Sequence, residues 1–192
     1  MNEKANNFNS VTHNLLVAMP GLLDPYFSGS VIYVAEHSNK GAMGLVINKL
    51  AEIDLMSLFS RIDITTKNNP SHIEPVFLGG PIQPDRGFVL HEPVGSWNSS
   101  LRISDKLALT SSRDILEATA QGKGPVKFHV SLGYSGRGPG QLDTELIKNS
   151  WLTIPMLDNE LIFDVPAEEK FAAAFKILGF DPTNLSGIAG HA

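Results

Sequence analysis

The chain reads as α+β, built on a largely antiparallel or mixed sheet that curls towards a barrel. Three observations predict this class. Short runs rich in β-branched and aromatic residues dominate the sequence. Helical periodicities are inserted among them irregularly, not in the regular alternation of a βαβ fold. Several pairs of runs flank tight-turn residues, the mark of hairpins and so of antiparallel pairing.

The elements follow in order. Residues 1–12 are Asn-rich and scarcely charged, and are expected to form a disordered tail ahead of a single domain over 13–192. Residues 14–19 are a short apolar run, expected to be a buried strand that Pro20-Gly21 ends. Asp24-Pro25 pairs an N-cap with a first-turn proline and predicts a helical turn. Residues 31–36 and 43–48 flank Ser38-Asn39-Lys40-Gly41 and predict a hairpin. Asp54 is placed to cap a helix whose Leu55, Leu58, Phe59 and Ile62 fall on one face. Residues 65–75 are polar, contain Pro70 and Pro75, and predict an exposed loop. Strands are expected at 76–78 and 87–92, with a type I turn over Pro84-Asp85-Arg86-Gly87 leading into the second.

Residues 101–103 and 107–110 predict a hairpin around Ser104-Asp105-Lys106. Ser111 is then expected to cap a helix, with Asp114 three residues on, and Gly122 to stop it. In the strand expected at 126–131, Val126, Phe128 and Val130 point one way and Lys127, His129 and Ser131 the other. A glycine-rich loop over 133–140 leads to a helix at 141–149. Strands are expected at 151–154 and 161–163. Asp164 and Pro166 open a final helix with Phe171, Phe175 and Leu178 inward, and Gly179 ends it. Residues 186–192 read as a small flexible tail.

Composition narrows the function classes. The 192 residues carry a net charge of −5, from 20 acidic and 15 basic side chains. That balance opposes direct nucleic-acid binding, which needs Lys and Arg to replace counterions on phosphates. No cysteine is present, which removes disulfides, thiol catalysis and thiolate-held metals. No stretch approaches the ~20 apolar residues of a membrane helix, so no membrane partner is expected. The nearest approach to a signal peptide, residues 15–23, is broken by Pro20-Gly21 and follows no basic segment. A cytoplasmic setting is expected.

Several motifs occur in a particular order: Met19-Pro20-Gly21, Glu36-His37, Gly41-Ala42-Met43-Gly44-Leu45-Val46-Ile47-Asn48, Gly79-Gly80-Pro81, Gly133-Tyr134, Gly138-Pro139-Gly140-Gln141-Leu142 and Gly190-His191-Ala192. Together they resemble the AlgH/YqgE family from about residue 13 to the end. The resemblance implies a bacterial protein with a complex α+β fold. It implies a mixed, bifurcated sheet, partly closed into a small barrel and flanked by helices. It also implies an uncharacterised activity, an indirect association with gene regulation and no established catalytic residues. The family commonly places Trp where this chain has Arg137.

The foremost site candidate is the segment with Gly133, Ser135, Gly136, Arg137, Gly138 and Gly140. Glycines let backbone N–H groups approach a ligand, a helix N-terminus favours an anion, and Arg137 adds a charge-assisted contact. The alternative is a tight connection that needs glycine conformations. The same stretch nearly spells a nucleophile elbow, with Ser135, Asp143, Asp158 or Asp164, and His191 as a triad in chain order. Arg137 stands where that motif requires Gly, and the family often has Ala in place of Ser135. Gly79, Gly80, Asp85 and Arg86 form a second candidate loop, beside the plainer reading of a turn. His37, His91 and His129 lack metal-ligand spacing, and Glu36-His37 and His91-Glu92 point to opposite strand faces. No metal and no cofactor is expected. Trp97, Trp151 and the phenylalanines read as core, and no helix-turn-helix is apparent.

The expected function is therefore a binding or regulatory protein, acting on a protein partner or a small anionic ligand. The alternative is an enzyme on a small phosphorylated or acyl substrate, built around the segment from Gly133 to Gly140.

Overall fold

The computed structural model describes residues 9–67 and 74–180. Ten strands form one sheet. β1 (Asn14–Ala18), β2 (Val31–Ser38) and β3 (Gly41–Val46) make an antiparallel meander, with β10 (Trp151–Pro155) on the outer side of β1. The path continues through β9 (Lys127–Arg137), β6 (Ile82–Glu92), β8 (Ala108–Thr110) and β7 (Ser100–Arg102).

β9 is where the sheet divides. Along one edge its residues Ser135 to Arg137 pair with β3, and its residues Val130 to Leu132 pair with β5 (Pro75–Leu78). The β5–β9 pairing is parallel; the other strand pairings among the described residues are antiparallel. β4 (Leu50–Asp54) pairs with β5 alone. The sheet curls into a half-barrel and the class is α+β, as expected.

Among the described residues, five helices cover it. α1 (Leu55–Arg61) and α2 (Arg113–Ala120) pack on one face through Leu58, Phe59, Ile115 and Leu116 against Val76, Val89 and Val130. α3 (Gln141–Ile147) covers Leu16, Ile32 and Val46 with Leu142. α4 (Glu160–Phe163) and α5 (Ala167–Ile177) close the concave side with Leu161, Ile162, Ala174 and Phe175. Each strand of the meander thus buries both faces, which explains their near-continuous apolar runs.

Local chemistry acts as expected at several ends. The Asp54 carboxylate accepts the Ser57 N–H at the start of α1. Asp24 accepts the N–H groups of Tyr26 and Phe27 in a single turn.

Five expectations are corrected, and one strand is added. Residues 161–163 lie in helix α4, not a strand, because Glu160 begins a turn that packs under α5. β4 was not anticipated: no element was expected over residues 50–53. Residues 84–87 form no type I turn; β6 runs through them, with a register shift between Ile82 and Gly87 and Gln83 at φ 50. Ser112, not Ser111, occupies the N-cap of α2. Gly133 to Arg137 belong to strand β9, not to a loop. Finally, positions 10–12 of the expected tail are hydrogen-bonded to β2: Ser10 Oγ donates to the His37 carbonyl, and Thr12 Oγ1 accepts the His37 N–H. Residues 1–8, much of the 65–75 loop and the 186–192 tail lie outside the described residues.

Candidate functional site

The glycine-rich segment is built into the sheet. Gly133 takes a positive φ of 70, and a Cβ there would stand 2.3 Å from the Gly80 carbonyl oxygen. A Cβ on Gly80 would meet the Tyr134 carbonyl carbon at 2.0 Å. Gly79, Gly80 and Gly133 therefore need glycine because the two segments press on each other there, whereas a Cβ on Gly138 or Gly140 would meet nothing within 4 Å. Gly79 also bridges strands, donating to the Leu132 carbonyl and accepting from the Val46 N–H, each at 2.8 Å.

Arg137 is occupied. Its guanidinium lies 4.4 Å from the Phe27 ring centroid and 5.5 Å from that of Trp151. Its Nε donates to Glu145 Oε2 at 3.2 Å, and its Nη1 donates to Ser135 Oγ. Trp151 Nε1 donates to the same Glu145 oxygen at 2.8 Å. Arg137 thus lies flat against aromatic rings, which its planar guanidinium suits. Its charge, assigned above to an anion, is met by Glu145. α3 has seven residues, follows Gly140 at its N-cap and carries Asp143 in its first turn. A cavity of about 450 Å³ does lie here, between Lys40, Met43, Ile82, Tyr134 and Arg137. His129 and Asp85 are not among its lining residues.

In the second cluster, Arg86 donates to Gln83 Oε1 at 3.3 Å and Ser111 Oγ at 2.8 Å, while Asp85 is exposed. The candidate triad is not brought together as drawn: Ser135 receives Arg137, Asp164 pairs with Lys127, and His191 lies outside the described residues.

Each histidine has a different setting. His37 Nδ1 accepts the Val11 N–H at 3.2 Å, and its Nε2 lies 3.6 Å from Asp143. His91 is fully buried, with Nδ1 against the Pro93 carbonyl at 2.9 Å and Nε2 against Thr110 Oγ1 at 2.8 Å. His129 is different: it is buried, and its Nε2 has no hydrogen-bond partner among the described residues. Groups of His, Asp and Glu able to hold a metal do not occur among the described residues.

His129 leads to a site that sequence reasoning missed. A cleft of about 880 Å³ runs between β4, β5 and β9 on one side and the α4–α5 corner on the other. Phe77, Phe128, Ile162 and Phe163 line it, and Glu74, Asp164 and Glu168 also border it. Lys170 of α5 enters this lining and is only 1% exposed. Its Nζ donates to the Ile162 carbonyl at 2.6 Å and lies 5.0 Å from the Phe77 ring centroid. No carboxylate forms a salt bridge with it among the described residues. Burial pushes its pKa down to about 8. The His129 ring stacks on Phe77 at 3.8 Å, and burial plus the Lys170 charge push its pKa well below the usual histidine range.

An orphaned buried polar group costs about 1–3 kcal/mol, and an amine removed from water costs more. The unpartnered His129 Nε2 and the desolvated Lys170 amine beside one aromatic ring both cost stability. A signal was present in the sequence. Lys170 stands three residues after Ala167 and four before Ala174, both buried, so it occupies the apolar stripe of its helix.

The fold and cleft define a class: a curled α+β half-barrel with a buried amine at a helix-covered opening of its sheet. Comparison with known proteins places it further. The model of the AlgH-like family matches residues 15–183. A UPF0301 protein of Cupriavidus pinatubonensis is 53% identical over 183 residues, spanning 95% of this chain and 96% of its own length. A UPF0301 protein of Bordetella avium is 51% identical over 185 residues, spanning 96% and 93%. The solution structure of the AlgH protein from Pseudomonas aeruginosa matches with a TM-score of 0.77 at 41% identity, covering both chains fully. A Corynebacterium diphtheriae protein shares the fold at a TM-score of 0.68 and 16% identity, over 88% of this chain and 87% of that one. The chain belongs to the AlgH-like family, whose activity is uncharacterised.

Proposed function

We propose that this chain is a binding protein whose ligand is a small molecule with an apolar body and one oxygen-bearing head group, a carboxylate or a carbonyl. The observation that carries it is the cleft between β5, β9 and the α4–α5 corner, with Lys170 and His129 at its floor. Lys170 uses one donor on Ile162 and keeps two. Phe77, Phe128, Ile162 and Phe163 supply apolar walls. A regulatory role, implied by the family resemblance, would then follow from ligand occupancy. A cytoplasmic setting belongs to the same reading, on the resemblance to bacterial proteins alone.

Direct nucleic-acid binding is not favoured. Arg86, Arg102, Arg113 and Arg137 are each engaged with neighbouring side chains, not gathered on an open face.

Thermal unfolding in the presence of 3-phenylpropanoate and octanoate tests the proposal. A ligand at about 100 times its dissociation constant stabilises by ~2.7 kcal/mol, which shifts the melting temperature measurably. The shift is expected in wild type and Arg137→Lys, and lost in Lys170→Met. Absence of any shift, or an undiminished shift in Lys170→Met, overturns it.

A further inference from the structure

The geometry points to covalent capture: we propose that Lys170 forms an imine with an aldehyde or ketone held in the cleft. The inference rests on the cleft being the ligand site and adds the chemistry of its floor. Three features carry it. The Lys170 Nζ is held among cleft-lining groups, bonded to the Ile162 carbonyl at 2.6 Å and facing the Phe77 ring. No carboxylate forms a salt bridge with it among the described residues, so nothing demands that it stay charged. His129 lines the same cleft, and its Nε2 has no hydrogen-bond partner among the described residues, which leaves its lone pair open to relay a proton.

Burial supports this. With the pKa pushed down to about 8, roughly a fifth of the amine is neutral at pH 7.4, against roughly one in a thousand for an ordinary lysine. Desolvation in an apolar pocket is a recognised way to activate an amine for imine chemistry. His129, kept neutral by its surroundings, is an acceptor at Nε2 in its Nδ1–H tautomer.

The step balances without oxidant or reductant. The Nζ lone pair adds to the carbonyl carbon, and the C=O π pair moves to oxygen. The nitrogen sheds a proton to His129 Nε2, and the oxygen takes it up, giving a carbinolamine. The nitrogen lone pair then forms the C=N bond as the hydroxyl is expelled, and the proton remaining on nitrogen passes by way of His129 Nε2 to that hydroxyl, which leaves as water. One amine and one carbonyl become one imine and one water.

The wild-type chain supplies its own control, because Lys176 is exposed on the same helix. Treatment with benzaldehyde and cyanoborohydride at pH 7.4 reduces any imine to a stable benzyl-lysine, located by peptide mass mapping. Lys170 is expected to label at least tenfold faster than Lys176, and His129→Phe to slow Lys170 at least threefold while leaving Lys176 unchanged. Labelling of Lys170 at or below the Lys176 rate overturns the inference. Melting shifts with benzoate and benzaldehyde, on wild type and Lys170→Met, separate the two levels. Lysine-dependent shifts without Lys170 labelling leave the binding site standing and remove the imine. No shift and no labelling remove both.

Discussion

The His129 imidazole lies against the Phe77 ring, with centroids 3.8 Å apart and planes inclined by 28°. The two residues sit on neighbouring parallel strands, and the stack holds the imidazole away from water. A histidine kept neutral in this way binds no proton in the folded state until the pH falls well below its ordinary value.

This predicts an acid limb of stability. The folded pKa of His129 is depressed, so the unfolded chain takes up a proton first as pH falls through about 6.5. Its contribution is whole above that pH and is lost below it. Urea unfolding at pH 7.5 and 5.5 is expected to show wild type losing more stability than His129→Phe. The variant keeps a smaller acid loss, because burial also lowers the pKa values of His13 and His91.

Lys170→Met is expected to be more stable than wild type at pH 7, by about 1–3 kcal/mol, since it replaces a buried amine with an apolar chain of similar length. The pH dependence has a definite sign. Folding lowers this pKa from 10.5 to about 8, so between those values the unfolded chain holds the proton and stability rises with pH. Wild type should therefore recover about 2 kcal/mol relative to the variant between pH 8 and 9.5. Denaturant midpoints across that range measure it, and parallel curves would contradict the buried-amine assignment.

Arg137→Ala is expected to act on stability, with a loss of about 1–3 kcal/mol. It removes the flat contact with Phe27 and Trp151 and leaves Glu145 without its cation. Phosphate titrations of wild type and variant, followed by melting temperature, check the alternative. A phosphate-dependent shift lost in the variant would restore the anion site expected at Gly133 to Gly140.

Gly80→Ala and Gly138→Ala should differ sharply. A Cβ at Gly80 meets the Tyr134 backbone at 2.0 Å, whereas one at Gly138 meets nothing within 4 Å. The first is expected to cost at least about 3 kcal/mol and the second to change stability by no more than about 0.5 kcal/mol. Equal midpoints in guanidinium would refute the close approach of the two segments.

Much of the fold was legible where local chemistry and periodicity agree. The β2–β3 hairpin, the Asp54-capped helix and the inward face of α5 follow from turn residues, an N-cap and helical spacing. Gly133 to Arg137 misled because glycine signals a loop and a close packing equally well. Here Gly133 serves the close approach of Gly79 and Gly80 across the sheet, a contact between residues about fifty positions apart. Leu161 to Phe163 misled because a three-residue apolar run carries no period that separates strand from helix.

The candidate cleft divides in the same way. Sequence by itself determined the α+β class, the positions of the main strands and helices, the lack of thiol chemistry and the family. It also placed Lys170 on a helix and His129 on a strand. Only the tertiary structure decided that these two share a floor, 41 residues apart in the chain. Helical spacing shows which residues face inward, yet it does not say what they face. That depends on β9 dividing its edge between β3 and β5 and on α5 crossing the gap. The same long-range packing that turned Arg137 into a buried stacking group left the Lys170 amine without a carboxylate partner among the described residues.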